Sequence, residues 1–207
     1  MKRRKFIASG LAATTIALSG CAIFQDNRLQ DVSAGQSLET PTYGIGDVSV
    51  EVFTDFECGG CATFNETVRP QLFESYINDS EDDIITYKHR DYPVPIGSES
   101  KAAALSCRAI QDEYGIDEFW EYKNKVLETQ NELSERHLEN LAVDMGYDVG
   151  VVSSAIDERK YDNVIAYDYQ EAEEIGVSHT PYVLVNGESI EDPLDIAMIT
   201  EKITSLS

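Results

Sequence analysis

Basic residues are scarce in this chain: 16 Lys and Arg stand against 38 Asp and Glu among 207 residues, a formal net charge of −22. Four of the 16 lie within the first five residues, so the remainder carries 12 against 38, or −26. Such a surface repels nucleic acid and anionic lipid, which excludes a nucleic-acid-binding role. Cysteine is also sparse, with only Cys21, Cys58, Cys61 and Cys107. No second CxxC is present, so a closed four-ligand zinc site lacks its ligands. Repeats and low-complexity tracts are missing too. With 42% of residues hydrophobic, the acidity coats a folded domain rather than marking disorder. It reads as an adaptation to high salt, where the Debye length shrinks to about 3 Å at 1 M.

The chain opens MKRRKFIASGLAATTIALSGC, four basic residues before an apolar stretch too short and too rich in small residues for a comfortable membrane span. Residues 1–20 read as an export signal. Arg3-Arg4 resembles a twin-arginine signal, and Leu18-Ser19-Gly20-Cys21 resembles a lipobox whose cysteine is lipidated and becomes the mature N-terminus. The competing reading is a hydrophobic anchor that is never cleaved. Export places the protein at the outer face of the cell membrane, where cysteine pairs can stay oxidised. With Cys21 lipidated, three thiols remain, and an odd count argues against a framework of structural disulfides.

Residues 21–46 are polar and punctuated by Gly and Pro, a tether between lipid and domain. Residues 47–207 form one domain. Val48, Val50 and Val52 alternate with Ser49, Glu51 and Phe53, the period of a strand. From Cys58 the pattern turns helical, with Ala62, Val68, Leu72 and Tyr76 on one face and Pro70 set to interrupt it. A second strand is predicted over residues 83–93. A helical block follows over about 98–175, with Ser98, Asp117 and Ser134 as caps and with Phe119, Trp120, Val126 and Leu127 packing one helix. Cys107 shares a face with Ala103 and Ile110 and reads as a buried small hydrophobe; Lys88, His89 and Arg90 form a basic cluster with no assigned role. Tyr161, Ile165, Ala172 and Ile175 mark the last helix of the block. Strand character returns at PYVLVNGESI, where Asn186-Gly187 suits a tight hairpin turn, and a final helix closes the chain. This order is a small α/β layer interrupted by an all-α insertion.

A CxxC where a strand passes into a helix places its first sulfur beside unpaired backbone N–H groups, which favour the thiolate. Cys58 is the candidate nucleophile. Cys61, one turn on, is the candidate resolving thiol that attacks a mixed disulfide formed at Cys58. The reaction needs no cofactor beyond the two sulfurs.

VSVEVFTDFECGGC, YKHRDYP, AAALSCRAIQDEYGIDEFWEYKNKVLETQ and EEIGVSHTPYVLVNG, in that order, resemble the thioredoxin-fold disulfide oxidoreductases of the DsbA type. The resemblance runs from about residue 46 to the C-terminus. It implies a thioredoxin-like sheet with an inserted helical domain and a dithiol facing a cis-proline loop. That loop maps onto Thr180-Pro181, whose backbone would bind the substrate peptide. The chain departs from the family in having glycine at both positions between the cysteines. This removes a cationic neighbour of the thiol and makes the turn more flexible. Asp55 and Glu57 should push the thiol pKa up, giving a milder oxidant, while the helix terminus pulls it down. His179 either leans toward the dithiol to tune it or stands as an exposed loop histidine.

The leading function is therefore formation or exchange of disulfides in exported proteins, with a membrane partner restoring the oxidised pair. Reduction of substrate disulfides by the same residues is the runner-up. A zinc or copper site built from Cys58, Cys61 and His179 is the rival from another class.

Overall fold

The computed structural model describes residues 29–77, 83–94 and 98–206. The stretch read as an export signal and Cys21 lie outside these residues. Among the described residues, five strands form one mixed sheet, β1 (Thr42–Tyr43), β2 (Val48–Thr54), β3 (Ile85–Asp91), β4 (Tyr182–Val185) and β5 (Glu188–Ser189), in the order β1-β3-β2-β4-β5. β2 is central. It runs parallel to β3, with Val50 opposite Tyr87 and Val52 opposite His89, and antiparallel to β4. The valine alternation buries one face as expected, but Phe53 is buried as well. It packs with Tyr92, Ala172, Val177 and Leu184, so the sheet is covered on both faces where β2 ends.

The chain then enters α1 (Gly59–Thr63), a π-helical turn (Phe64–Val68) and α2 (Arg69–Tyr76). Pro70 has no N–H to give to Glu66, and the wider turn precedes it. The buried stripe is Cys61, Phe64, Val68 and Leu72. The expected stripe began one residue too late, at Ala62, which is only half-buried.

Five further helices separate β3 from β4: α3 (Ser100–Tyr114), α4 (Ile116–Glu128), α5 (Glu135–Asp144), α6 (Val149–Asp157) and α7 (Asp162–Ile175). This is the predicted α/β fold with an inserted helical block. α3 is its axis, buried almost all round from Ser100 to Ile110, with Cys107 fully enclosed. Ser134 caps α5 by accepting from the His137 N–H. The other two expected caps are corrected. Gly115, at φ 117°, precedes α4, which places Asp117 inside the first turn, and Ser98 bonds the Glu99 carboxylate rather than a helix N–H. Ile175, one of the residues that marked α7, is 49% exposed. The hairpin turns at Asn186 (φ 47°) and Gly187 (φ 81°), and α8 (Ile196–Thr204) closes the layer.

The basic cluster on β3 is also structural. His89 bonds Asp91 at 2.9 Å, Arg108 of α3 bonds Asp91 and Asp168 of α7 at 2.6 and 2.7 Å, and Arg90 reaches Asp168 at 2.9 Å. These contacts staple the insertion to the sheet. Part of the stretch read as tether packs on the domain too. Leu29 is buried, the Gly35 N–H donates to the Asn163 carbonyl, and β1 pairs with β3.

Candidate functional site

The sheet delivers Cys58 to the amino end of α1, where its extended backbone (φ −82°, ψ 115°) makes it the residue that starts the helix. Its carbonyl accepts from the N–H groups of Cys61 and Ala62 at 2.9 and 3.2 Å. Its sulfur is half-buried and donates to the Thr180 carbonyl at 3.1 Å. The Thr180-Pro181 peptide is cis. Cys61 is buried, and the Asp55 N–H points at its sulfur at 3.4 Å. All three described cysteines are free thiols.

The two thiols are driven in opposite directions. The Cys58 thiol is lowered to about 5, first by the hydrogen bond from Cys61, with Thr180 and the Cys61 and Gly60 backbone N–H groups adding to it against the effect of burial. The Cys61 thiol is pushed well above its ordinary value, first by burial and then by Cys58. The Thr180 hydroxyl oxygen is buried and has no partner among the described residues, so its O–H is free to turn toward a thiolate.

The expectation that acidic neighbours would raise Cys58 is not met: the donors around its sulfur outweigh their repulsion, and both acids are engaged by other donors. Glu57 accepts from the Glu99 and Ser100 N–H groups at 2.9 and 2.8 Å, capping α3 from across the site. Asp55 accepts from the Glu57 and Val94 N–H groups, both at 2.7 Å, and from the Ser100 hydroxyl. Repulsion between Asp55 and Cys58 falls on the acid, whose pKa is raised, first by burial.

The two glycines differ. A Cβ on Gly59 would meet nothing within 4 Å, whereas one on Gly60 would lie 3.0 Å from the Pro181 ring and 3.6 Å from the Cys58 sulfur. Gly60 is thus the position where the turn and the cis-proline loop close on each other. His179 is exposed; its ring stands edge-on to Tyr182 at 5.4 Å, and Ser178 lies at 3.3 Å from its Nδ1. Among the described residues no three of His, Cys, Asp and Glu are grouped so as to hold a metal ion.

Two residues of the site escaped the sequence reading. Gln130, from the 3₁₀ turn Gln130–Glu132 after α4, donates its amide to the carbonyls of Phe56 and Cys58 at 2.5 and 3.0 Å. Nothing local marks it. Lys123 of α4 is buried and donates to Asn65 Oδ1 at 3.1 Å. A signal did exist here, since Lys123 falls at helical spacing between Phe119 and Trp120 on one side and Val126 and Leu127 on the other, inside the apolar stripe.

A mixed sheet with a helical insertion, carrying a CxxC that opens a helix against a cis-proline loop, defines a thioredoxin-like fold of the DsbA type. A family model described as Thioredoxin matches residues 39–205, and the chain belongs to that family, among its DsbA-type thiol-disulfide oxidoreductases. It is 28% identical over 208 residues to a protein of Bacillus cereus named probable disulfide bond formation protein D, covering 90% of this chain and 91% of the relative. In fold it is similar to BdbD of Bacillus subtilis in its oxidised form (TM-score 0.74, 22% identity, 80% of this chain and 91% of the other). It is also similar to the thiol-disulfide exchange protein alpha-DsbA2 of Wolbachia pipientis (TM-score 0.70, 22% identity, 83% and 89%).

Proposed function

We propose that this protein forms disulfides in exported proteins, held to the outer face of the cell membrane by a lipid on Cys21, with Cys58 and Cys61 as the exchanging pair. A substrate thiolate bonds to Cys58 Sγ of the oxidised pair, and the Cys58–Cys61 bond breaks with its electrons on Cys61. The substrate's second thiolate then attacks the mixed disulfide and expels Cys58. Two electrons have moved from substrate to enzyme, and a membrane-borne acceptor takes them away. Thr180 and Pro181 flank the sulfur, and the Thr180 backbone is the edge along which a peptide strand would lie.

The observation that carries this reading is the placement of Cys58 at the start of α1 with its sulfur 3.1 Å from the Thr180 carbonyl at the cis-proline loop, among donors that lower its proton affinity. Stabilising the thiolate stabilises the reduced enzyme, which makes the oxidised pair the better electron acceptor and favours oxidation of substrates over their reduction. The name of the Bacillus cereus relative supports the same direction. The acidic surface is read as an adaptation to a saline exterior. Replacing Cys61 by serine should leave Cys58 able to attack disulfides of exported proteins and form adducts that Cys61 can no longer resolve. Cells expressing Cys61→Ser are expected to accumulate mixed disulfides with exported proteins, separable on non-reducing gels. Cells that accumulate none would refute the proposal.

A further inference from the structure

Burying a lysine without a carboxylate costs free energy unless the amine sheds its proton or the site uses the charge. Lys101, also buried, is paired with Asp162 at 2.8 Å. Lys123 is 2% exposed, and among the described residues its hydrogen-bond partner is the neutral Asn65 side chain; its Nζ lies 5.6 Å from the Trp120 ring centre. Asn65 is four residues beyond Cys61 in the same helical run, so both project from one face, and Lys123 meets that face. The charged and titratable groups facing Lys123 are Arg69 beyond the π turn, the thiols of Cys61 on α1 and Cys107 on α3, and Asp91 and His89 on β3. Burial first, then Arg69, lowers the lysine to about 7, so near neutrality the amine is poised to gain or lose a proton. Cys61, four residues before Asn65 on that face, is a buried sulfur that the exchange reaction requires to carry charge.

We propose that Lys123 is the acid–base partner of Cys61: its ammonium protonates the sulfur expelled from the oxidised pair, and its free amine removes that proton when Cys61 closes the disulfide. This rests on the exchange function proposed above. In the opening step the outside thiolate bonds to Cys58 Sγ, the disulfide breaks, and Cys61 takes the electron pair and the proton of Lys123. In the closing step Lys123 takes the proton, Cys61 bonds to Cys58 Sγ, and the outside thiolate leaves with its electron pair. Asp55 is less suited to the task, because its two carboxylate oxygens are occupied by Ser100, Glu57 and Val94.

The test mixes the reduced full chain, in a Cys21→Ser background, with an aromatic disulfide whose released thiolate is coloured. Two bursts report in turn the attack of Cys58 and the closure by Cys61, and Cys61→Ser should abolish only the second. Lys123→Met is expected to leave the first burst unchanged and slow the second about a hundredfold. It should also raise the denaturation midpoint, because an unpaired buried charge is gone; a lysine with a purely structural role would lower it. Lys123→Arg, which cannot lose its proton, should abolish the inflection near neutral pH in the second burst. Wild-type second-burst rates and pH profile in both variants would overturn the role of Lys123 while leaving the exchange function standing. Absence of any first burst in the wild type would overturn both.

Discussion

At the scale of single residues, Cys58 and Cys61 are separated by two glycines but hold opposite proton affinities. Cys58 sits among donors, whereas Cys61 sits in the core. A Cys58 thiol at about 5 falls between thiols of about 7 and about 3.5, which accompany potentials of about −270 and −120 mV. Equilibration with glutathione is expected to place this pair inside that window; a potential at either end would contradict the site's electrostatics. The same shift predicts a pH dependence. Because the folded thiol is depressed, the reduced protein gains stability that is complete near the ordinary thiol pKa of 9 and lost as pH falls through about 5. The gap between the denaturation midpoints of the reduced and oxidised forms should therefore shift in favour of the reduced form from pH 5 to 9 and stay flat below. The dithiol itself was legible from its spacing and from the change of period at Cys58. That other donors would outweigh the repulsion of Asp55 and Glu57 was not. Proximity in sequence says nothing of where a carboxylate points, and both point into α3.

At the scale of elements, the CGGC turn is held from outside as much as by its own backbone. Glu57 caps α3, and Gln130 returns from the far end of α4 to bind two carbonyls of the turn. With Gly-Gly between the cysteines, the turn has little stiffness of its own, and Gln130 supplies it from the insertion. Gln130→Ala removes two hydrogen bonds and leaves the Phe56 carbonyl without that donor. It is expected to lower the stability of the reduced protein by about 1–2 kcal/mol and to slow alkylation of Cys58. Unchanged alkylation would show that the clamp is dispensable. The helical block and hairpin were readable in advance, because apolar period and an Asn-Gly turn are local properties. The expected Ser98 cap failed because the donors of α3 were met by a carboxylate 42 residues away and not by a neighbour in sequence.

At the scale of the whole molecule, a net charge of −22 sets a repulsion that no single contact relieves. The fold answers it locally by pairing Arg90 and Arg108 with Asp91 and Asp168 between β3, α3 and α7. Arg108 is 1% exposed, so added salt should screen this staple little, whereas exposed acids are screened over about 10 Å at 0.1 M and about 3 Å at 1 M. The urea denaturation midpoint is accordingly expected to rise as sodium chloride is raised toward 1 M. A midpoint that stayed level or fell would remove the case for a saline habitat.

The sequence by itself determined the order of elements from β2 onward, the acidic surface and the place of the dithiol at a strand-to-helix junction, because each follows from composition or from a period of a few residues. Only the tertiary structure decided which way the acids face, which amide clamps the turn and which amine is buried against Asn65. Lys123 and Asn65 are 58 residues apart, and Gln130 and Phe56 are 74 apart. Proton affinity and stiffness at the site are set by groups that meet only after the chain has folded, in an interior where burial magnifies every charge and every missing donor.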